Sequence, residues 1–194
     1  MNIIIGVTGP RGAGKSELIK FLVEFIPCAI VLRMSDYVRR EADELRGRGI
    51  KRDLREQSFA KRREFGKEYW IKKILADIAS MPPGVFIIDG QRNAEGDIDY
   101  LRENAGCRVF IVGVTADSKT RLGRVKERNR DGNLTDRQIR RDLAADLRSG
   151  GECGFDLFAC LERCDDVIIN TSTLAELRER TRFVVEMISR GFGS

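Results

Sequence analysis

The sequence predicts an α/β fold of three layers, in which a five-stranded parallel sheet lies between two layers of helices. Short apolar runs of strand length alternate with longer segments of helical periodicity along the chain, which is typical of parallel sheets covered on both faces. The length of 194 residues suffices for one domain with its own core. Hydrophobic residues make up 42% and charged residues 34% of the chain, which indicates a globular protein rather than a disordered one.

The first predicted strand, at about residues 2–7, leads into a glycine-rich segment that begins at Gly9 and ends at Ser16. This segment, GPRGAGKS, matches the pattern G-x-x-x-x-G-K-[ST] of a phosphate-binding P-loop. The glycines allow a tight turn whose N–H groups point at a phosphate, Lys15 can reach the β- and γ-phosphates, and Ser16 can bind Mg²⁺. A helical pattern follows at about residues 14–25, so the motif has the strand–loop–helix context that it requires.

The next elements are predicted from breakers, caps and apolar runs. Pro27 ends the first helix, and an apolar run at about residues 28–32 predicts the second strand. Ser35 is a suitable N-cap for a helix that ends near Gly47 and Gly49. Residues 50–80 are highly charged and mostly helical, and we expect their apolar stripe to contact the core. The stripe consists of Phe59, Phe65, Tyr69, Trp70, Ile74, Leu75 and Ile78.

The third predicted strand, at about residues 85–90, carries Asp89 near its end and follows the breaker Pro82-Pro83-Gly84. In P-loop proteins a carboxylate at the end of such a strand holds Mg²⁺, directly or through water. The sequence therefore predicts Ser16 and Asp89 as the metal-binding residues. A further helix is predicted at about residues 95–103.

The helix after the fourth predicted strand, which spans about residues 108–114, is rich in arginine. Arg121, Arg124 and Arg128 are three and four residues apart and therefore share one helix face, and Arg130 follows. A row of like charges destabilises a helix unless an anion meets it. The pattern leaves two interpretations open, an anion-binding row and a solvated basic face.

The C-terminal part of the chain contains the fifth predicted strand, at about residues 166–170. Before it, Thr135 and Gln138 form a predicted capping box for a helix that Gly150 and Gly151 end. A short helix is predicted through Phe155, Leu157, Phe158 and Leu161. After the strand, Thr173 and Glu176 are predicted to cap the last helix.

The topology brings the polar residues of several loops together. Right-handed crossovers place the loops that follow parallel strands at one edge of the sheet, where ligands bind. We therefore expect Lys15, Asp36, Asp89, Arg92 and the segment 121–130 to meet at one cleft.

Composition excludes several other classes of protein. The chain has no His, which excludes Ser-His-Asp and Cys-His catalysis as well as His-ligated metal sites. Its five Cys include Cys153, Cys160 and Cys164, which lack C-x-x-C spacing, so a packing role is favoured over a metal site. An odd number of Cys and no predicted leader indicate reduced thiols and a cytoplasmic location. The net charge of +5 includes no dense Lys/Arg tract, so a nucleic-acid partner is not predicted, and no apolar run predicts a membrane span.

The chain resembles the P-loop kinases of the nucleoside monophosphate kinase group, and within them the branch of dephospho-CoA kinases and deoxynucleoside monophosphate kinases. The resemblance extends over nearly the whole chain and rests on the P-loop and on stretches that follow it in order. These stretches are Asp36 to Glu41, similar to D-x-[IV]-x-R-E; Arg62 to Gly66, similar to R-E-x-[YF]-G; Ile88 to Asn93, similar to [IV]-D-G-x-R-[NS]; Arg121 to Arg130, at the position of the lid; and Ile168 to Thr171, at the loop that packs against adenine.

The resemblance implies a single P-loop kinase domain over residues 1–194, with an acceptor-binding helical region at about 35–80 and a lid at about 121–150. It also implies ATP and Mg²⁺ as cofactors and a small nucleotide-like acceptor. The implied ATP-binding residues are Gly9, Arg11, Gly12, Ala13, Gly14, Lys15, Ser16, Glu17 and Asn170. The implied acceptor-binding residues are Asp36, Arg40, Arg63 and Arg92, and the implied catalytic residues are Lys15, Asp36, Arg124 and Arg128.

The expected activity is ATP-dependent phosphoryl transfer, with a (deoxy)nucleoside monophosphate as the favoured acceptor. A monophosphate is already an anionic nucleophile, whereas a hydroxyl acceptor needs a general base, for which Asp36 is the candidate. Dephospho-CoA is the alternative acceptor, although Met34 stands where dephospho-CoA kinases have an aspartate. Two further classes are an NTP-dependent regulatory switch and, ranked last, a polynucleotide kinase; the chain has no N-K-x-D motif of GTPases.

Overall fold

The computed structural model describes residues 2–47, 53–128, 134–149 and 151–191, and it confirms the predicted three-layer architecture. Five parallel strands form the sheet in the order β2-β3-β1-β4-β7, and β5 and β6 form a small antiparallel pair outside it. The strands are β1 Ile3–Thr8, β2 Ile30–Arg33, β3 Val85–Gln91, β4 Arg108–Thr115, β5 Arg148–Ser149, β6 Phe155–Asp156 and β7 Asp166–Ile169.

Helices connect the strands and cover both faces of the sheet. They are α1 Lys15–Phe25, α2 Met34–Gly47, α3 Leu54–Phe65, α4 Tyr69–Ser80, α5 Tyr100–Asn104, α6 Ser118–Arg128, α7 Asp136–Leu147, α8 Leu157–Glu162 and α9 Leu174–Arg190. A π-helical turn, Ala94–Asp99, leads directly into α5, and a 3₁₀ turn spans Gly151–Cys153. Within the described residues, none of these helices combines the length and the apolar character that crossing a membrane requires.

The central strands β1, β3 and β4 are largely buried on both faces because their successive side chains alternate between two cores. Ile4, Phe86 and Ile88 pack under α2, α4, α5 and α8, in a cluster that includes the fully buried Trp70. Ile5 belongs to the opposite cluster, under α1 and α9. A third and smaller cluster lies between α6 and α7 and consists of Val125, Ile139 and Leu143.

Several predicted elements have different bounds in the structure. The five predicted sheet strands are present, and in each of them at least one end differs from the prediction by one or two residues. The prediction of Ser35 as an N-cap is wrong, because β2 continues directly into α2, whose first residue is the buried Met34. The helical region at 50–80 is divided at Gly66, where φ is +103°. Phe65 of the predicted core stripe remains 49% exposed and stacks on Tyr69.

The later elements differ in a similar way. The helix predicted at 95–103 begins as the π-helical turn, capped by the Asn93 side chain, which accepts a hydrogen bond from the Gly96 N–H at 2.7 Å. Phe155 lies in β6 rather than in the short helix predicted around it. The capping box of Thr135 and Gln138 is confirmed. Gly49, Arg130, Gly150 and the turn predicted at 131–133 lie outside the described residues.

Candidate functional site

A cleft of about 430 Å³ opens at the carboxyl edge of the sheet, where the loops after β1, β2 and β3 meet. It brings together five of the sequence-predicted site residues, Arg11, Lys15, Ser16, Asp89 and Arg92. The other residues that line the cleft are Met34, Ser35, Val38, Leu54, Arg55, Ser58, Arg62, Gly90, Asp146 and Phe155.

The P-loop between β1 and α1 has the backbone geometry that the motif predicts. Gly9 has φ +146° and Gly14 has φ +110°, and both values lie in the left-handed region that favours glycine. A Cβ at Gly9 would lie 2.1 Å from the Val114 carbonyl oxygen, so this position also excludes a side chain sterically. Gly14 is the N-cap of α1, which directs the N-terminus of the helix at the cleft.

Lys15 is the first residue of α1 and is partly buried. Its Nζ donates a hydrogen bond to the Gly9 carbonyl oxygen at 2.7 Å. Burial and the neighbouring positive charge of Arg92 lower the pKa of Lys15 to about 8, although the carboxylates of Asp89 and Asp146 oppose this effect. A bound phosphate would favour the charged form of this amine.

Asp89 lies at the end of β3 and faces the same cleft as Ser16. Burial raises the pKa of the Asp89 carboxyl, and the charge of Lys15 opposes this effect. A hydroxyl and a carboxylate are the oxygen donors that suit Mg²⁺. No group of three or more acidic, His or Cys side chains in the described part of the chain could hold a metal, so further ligands would come from the triphosphate and water.

Asp146, near the end of α7, connects the two halves of the cleft. Its side chain is buried, and its carboxylate accepts a hydrogen bond from the Arg11 backbone N–H at 2.6 Å. The same carboxylate forms an ion pair with Arg92. The Arg11 side chain lies 3.8 Å from Asp142, one turn earlier on α7. A carboxylate therefore already occupies one backbone donor of the P-loop, and backbone N–H groups of such loops are also the donors that bind phosphate.

Phe155 carries two guanidinium groups at the acceptor side of the cleft. The Cζ of Arg92 lies 4.8 Å, and that of Arg55 5.8 Å, from the centroid of the Phe155 ring. The ring is itself held edge-on by Phe59. Among the described residues no carboxylate pairs with Arg55, so its charge remains available to an anionic ligand.

Arg62 fixes the acceptor-side helix α3 to the π-helical turn that follows β3. Its guanidinium and the carboxylate of Asp97 are both fully buried, with an N–O distance of 2.8 Å. Asp97 also accepts hydrogen bonds from the backbone N–H groups of Arg92 and Asn93, at 2.8 and 2.9 Å. One buried carboxylate thus positions both α3 and the turn that carries Arg92.

Three residues predicted for acceptor binding lie outside the lining of this cleft. Asp36 is exposed on α2 and forms an ion pair with Arg39 at 2.8 Å. Arg40 stacks over Tyr37 at 5.3 Å and borders a different surface cavity. Arg63 is exposed on α3.

The arginines of α6 are engaged differently from one another. Arg121 is buried and donates to the Ala116 carbonyl oxygen at 3.2 Å. Arg124 donates to the carbonyl oxygens of Gly12 and Ala13 at 3.4 Å and of Asn170 at 3.1 Å. Backbone carbonyl oxygens therefore offset the positive charge of Arg121 and Arg124 on this face of α6. Arg128 is exposed, yet it lies close enough to contribute to the lowered pKa of Lys15.

Two further residues predicted to bind ATP contact the loop or its helix. The Asn170 side chain donates a hydrogen bond to the Ala13 carbonyl oxygen at 2.8 Å and so holds the backbone of the P-loop in place. Glu17 accepts a hydrogen bond from Lys20 at 2.9 Å on the exposed side of α1.

Sequence reasoning missed several residues of the cleft, chiefly Arg55, Arg62, Asp146 and Phe155. In the structure Arg62 is on the buried side of α3 and Arg63 is exposed, but Phe59 does not separate them in the sequence, because positions three and four residues later share its helix face. We find no local signal for these four residues.

Comparison with known proteins gives both a family and a fold. No family model matches the chain. It is 34% identical over 194 residues to UPF0200 protein MK0400 of Methanopyrus kandleri, covering 97% of this chain and 92% of that protein. It is 30% identical over 176 residues to a UPF0200 protein of Staphylothermus marinus, covering 89% and 86%.

Solved structures of the same fold include small-molecule kinases. A shikimate kinase from Acinetobacter baumannii, in complex with shikimate, superposes with a TM-score of 0.57 at 18% identity over 100% of this chain and 96% of that one. A gluconokinase from Sinorhizobium meliloti superposes with a TM-score of 0.59 at 17% identity over 97% and 94%. At this level of identity the similarity shows the fold.

Proposed function

Since the chain belongs to the UPF0200 family and has the fold of P-loop kinases, we propose that it is an ATP- and Mg²⁺-dependent kinase of a small, nucleotide-like acceptor. One observation carries the proposal. The P-loop residues Lys15 and Ser16 face the arginines Arg55 and Arg92 within a single cleft. A regulatory switch needs only the first of these two anion-binding groups, whereas a kinase needs both.

On the donor side, the P-loop N–H groups and Lys15 bind and orient the triphosphate. Lys15 stabilises the charge that develops on the γ-phosphoryl group, and Arg128, the α6 arginine whose charge helps to lower the pKa of Lys15, is placed to assist it. Arg124 and Asn170 hold the loop in shape through its carbonyl oxygens. Ser16 and Asp89 would hold Mg²⁺, which when bound neutralises charge on the phosphate oxygens.

On the acceptor side, two features favour a monophosphate. Arg55 and Arg92 place two guanidinium groups beside one aromatic ring. A guanidinium group can donate two parallel hydrogen bonds to two oxygens of one phosphate. Asp36, the candidate general base for a hydroxyl acceptor, is exposed and paired with Arg39. The favoured acceptor is therefore a (deoxy)nucleoside monophosphate, with Arg92 on its phosphate.

A hydroxyl acceptor is the second candidate, and Asp146 is the observation that favours it. This carboxylate is buried in the cleft between the P-loop and Arg92, which is where a general base for a hydroxyl would be required. Two of the structural neighbours, the shikimate kinase and the gluconokinase, are also kinases of hydroxyl compounds. Dephospho-CoA belongs to this class of acceptor.

The proposal is tested by a phosphotransfer screen with ATP and Mg²⁺. The acceptor panel contains ribo- and deoxynucleoside monophosphates, dephospho-CoA, shikimate and gluconate. We expect transfer to a nucleoside monophosphate, abolished by Lys15→Ala and unaffected by Lys20→Ala, which removes an exposed lysine from the same helix.

The outcome also separates the classes of function. Transfer to a hydroxyl compound alone would replace the favoured acceptor by the second candidate. ATP binding that depends on Lys15, with no phosphorylated product from any acceptor, would contradict the kinase and support a regulatory switch.

A further inference from the structure

The helix α7 divides its charged residues between two sides. Its three carboxylates face the rest of the domain, where each of them forms an ion pair. The pairs are Lys126–Asp136, Arg11–Asp142 and Arg92–Asp146. Ile139 and Leu143 are buried on the same side of the helix. The inner side of α7 therefore carries all of its acidic residues.

The three arginines of α7 lie on its outer side. Arg140 and Arg141 follow Arg137 by three and four residues, so all three share one side of the helix, and all three are exposed. Within the described part of the chain, none of their guanidinium groups forms an ion pair or a hydrogen bond. The outer side of α7 is thus a row of three free positive charges.

The arginines of α9 show the contrasting arrangement. Each of them is paired with a glutamate, in the pairs Glu24–Arg178, Glu176–Arg180, Glu179–Arg182 and Glu186–Arg190. A solvated helix surface normally mixes charges of both signs in this way, because neighbouring like charges destabilise a helix. The outer side of α7 departs from this pattern, since the domain sends the carboxylates of the helix inward and leaves its arginines without a partner.

We infer that the outer side of α7 binds the phosphate backbone of a duplex nucleic acid. A guanidinium group donates two parallel hydrogen bonds to phosphate oxygens, and arginine is the preferred residue for this contact. An isoelectric point of about 9.1 and a basic row along one helix are features of nucleic-acid-binding domains. The arginines form this row only when the helix aligns them, which is why the sequence contains no dense Lys/Arg tract.

Other anionic partners fit this surface less well. A membrane-binding helix inserts large apolar side chains into the lipid, and a protein interface has an apolar centre. On α7 the large apolar residues Ile139 and Leu143 are buried, and the outer side adds only Ala144 to the arginines. The helix also contains no aromatic residue on which the bases of a single strand could stack, which favours a duplex.

The surface is separate from the candidate cleft. Asp146 directs the inner side of α7 at the P-loop, through the Arg11 backbone N–H, whereas the arginines lie on the other side of the helix. We therefore expect the duplex and ATP to bind independently. The inference does not rest on the proposed kinase activity, and its test measures binding alone.

Fluorescence anisotropy of a labelled DNA duplex of about 20 base pairs, titrated with the full chain, tests the inference. At about 50 mM salt we expect a Kd of about 10–100 μM, which lies in the range of non-specific binding. Three neutralised phosphates predict a slope of about −2.7 in the plot of log K against log salt concentration. Binding should therefore weaken by about 40-fold between about 50 and 200 mM salt.

The variants separate the α7 surface from the overall charge. Arg137→Gln, Arg140→Gln and Arg141→Gln combined should weaken binding at least about tenfold and bring the salt slope close to zero. The corresponding triple change to Lys keeps the charges and should keep most of the slope. Arg180→Gln, Arg182→Gln and Arg190→Gln combined are the matched control, because they remove the same charge from exposed, paired positions of α9. This control should change the affinity by less than about threefold.

Several results would overturn the inference. The native chain could fail to bind the duplex at about 500 μM protein and low salt, well above the expected Kd. The two triple Gln variants could lose equal affinity, which would assign the binding to net charge. Saturating ATP could displace the duplex, which would place the nucleic acid in the cleft. Binding to vesicles of phosphatidylserine and phosphatidylcholine, without binding to the duplex, would identify a membrane surface instead.

Discussion

Replacing Asp146 by Asn tests whether its carboxylate occupies the site of a phosphate. The carboxylate accepts a hydrogen bond from the Arg11 N–H at 2.6 Å and pairs with Arg92, so a triphosphate must displace it to use the same donors. The substitution keeps the size of the side chain but removes its charge. We therefore expect Asp146→Asn to bind ATP more tightly than the native chain does.

The magnitude follows from the contacts that ATP must replace. A hydrogen bond to a charged group contributes about 1.5–3 kcal/mol, and part of this remains when Asn takes the place of Asp. If the state in which Asp146 is bound to the Arg11 N–H is favoured by about 1.4–2.8 kcal/mol, only about 0.1–0.01 of the molecules have this donor free to bind ATP. Removing this competition should tighten ATP binding by about 10- to 100-fold.

The assay is calorimetric titration of each purified variant with ATP, supported by a thermal unfolding curve. Asp142→Asn is the matched control on the same helix, because Asp142 contacts Arg11 only through an exposed pair at 3.8 Å. It should change the ATP affinity by no more than about fivefold. Unchanged or weaker ATP binding by Asp146→Asn would refute the reasoning. If transfer also fell by about 10²-fold or more, the carboxylate would instead be a general base.

Three further predictions concern the cleft and its support. Because the pKa of Lys15 is about 8 in the unliganded protein, the charged fraction of its amine falls from about 90% at pH 7 to about 10% at pH 9. The affinity for ATP should therefore fall about tenfold over this interval, whereas the Lys15→Ala variant should show no such pH dependence. If the acceptor is a monophosphate, Arg92→Ala should lower kcat/KM for the acceptor by about 10²-fold, and more than Asp36→Asn; the reverse order in steady-state assays would favour a hydroxyl acceptor. Arg62→Met should cost about 3–5 kcal/mol in urea unfolding, because it leaves Asp97 buried and unpaired; combining it with Asp97→Asn should recover part of the loss, and a cost below about 1 kcal/mol would contradict a buried charge.

The parts of the fold that depend on local pattern could be predicted from the sequence. The five sheet strands, the P-loop and the capping box at Thr135 all rest on residues close together in the chain. The start of α2 could not be predicted in this way. Ser35 has the chemistry of an N-cap, but continuous backbone from β2 into α2 places it inside the first turn.

The residues of the candidate site likewise fall into those that local motifs predict and those that depend on distant contacts. Lys15, Ser16 and Asp89 stand in motifs, and they share the cleft as predicted. Asp146 is 135 residues from Arg11, and an aspartate in an amphipathic helix carries no sign of its distant partner. The choice between Arg62 and Arg63 depends on the rotation of α3 by one residue, and Phe59 does not decide it, because positions three and four residues later both share its helix face.

The small core between α6 and α7 has a consequence for local opening. The cluster formed by Val125, Ile139 and Leu143 is separate from the two cores of the sheet. We therefore expect that α6 and α7 can open without exposing these two cores to solvent. Regions of this kind open at a lower free energy than the whole domain, and their amide hydrogens exchange sooner with solvent. Amide exchange in α7 should therefore respond to ATP, whereas exchange in β1 and β3 should report the unfolding of the entire chain.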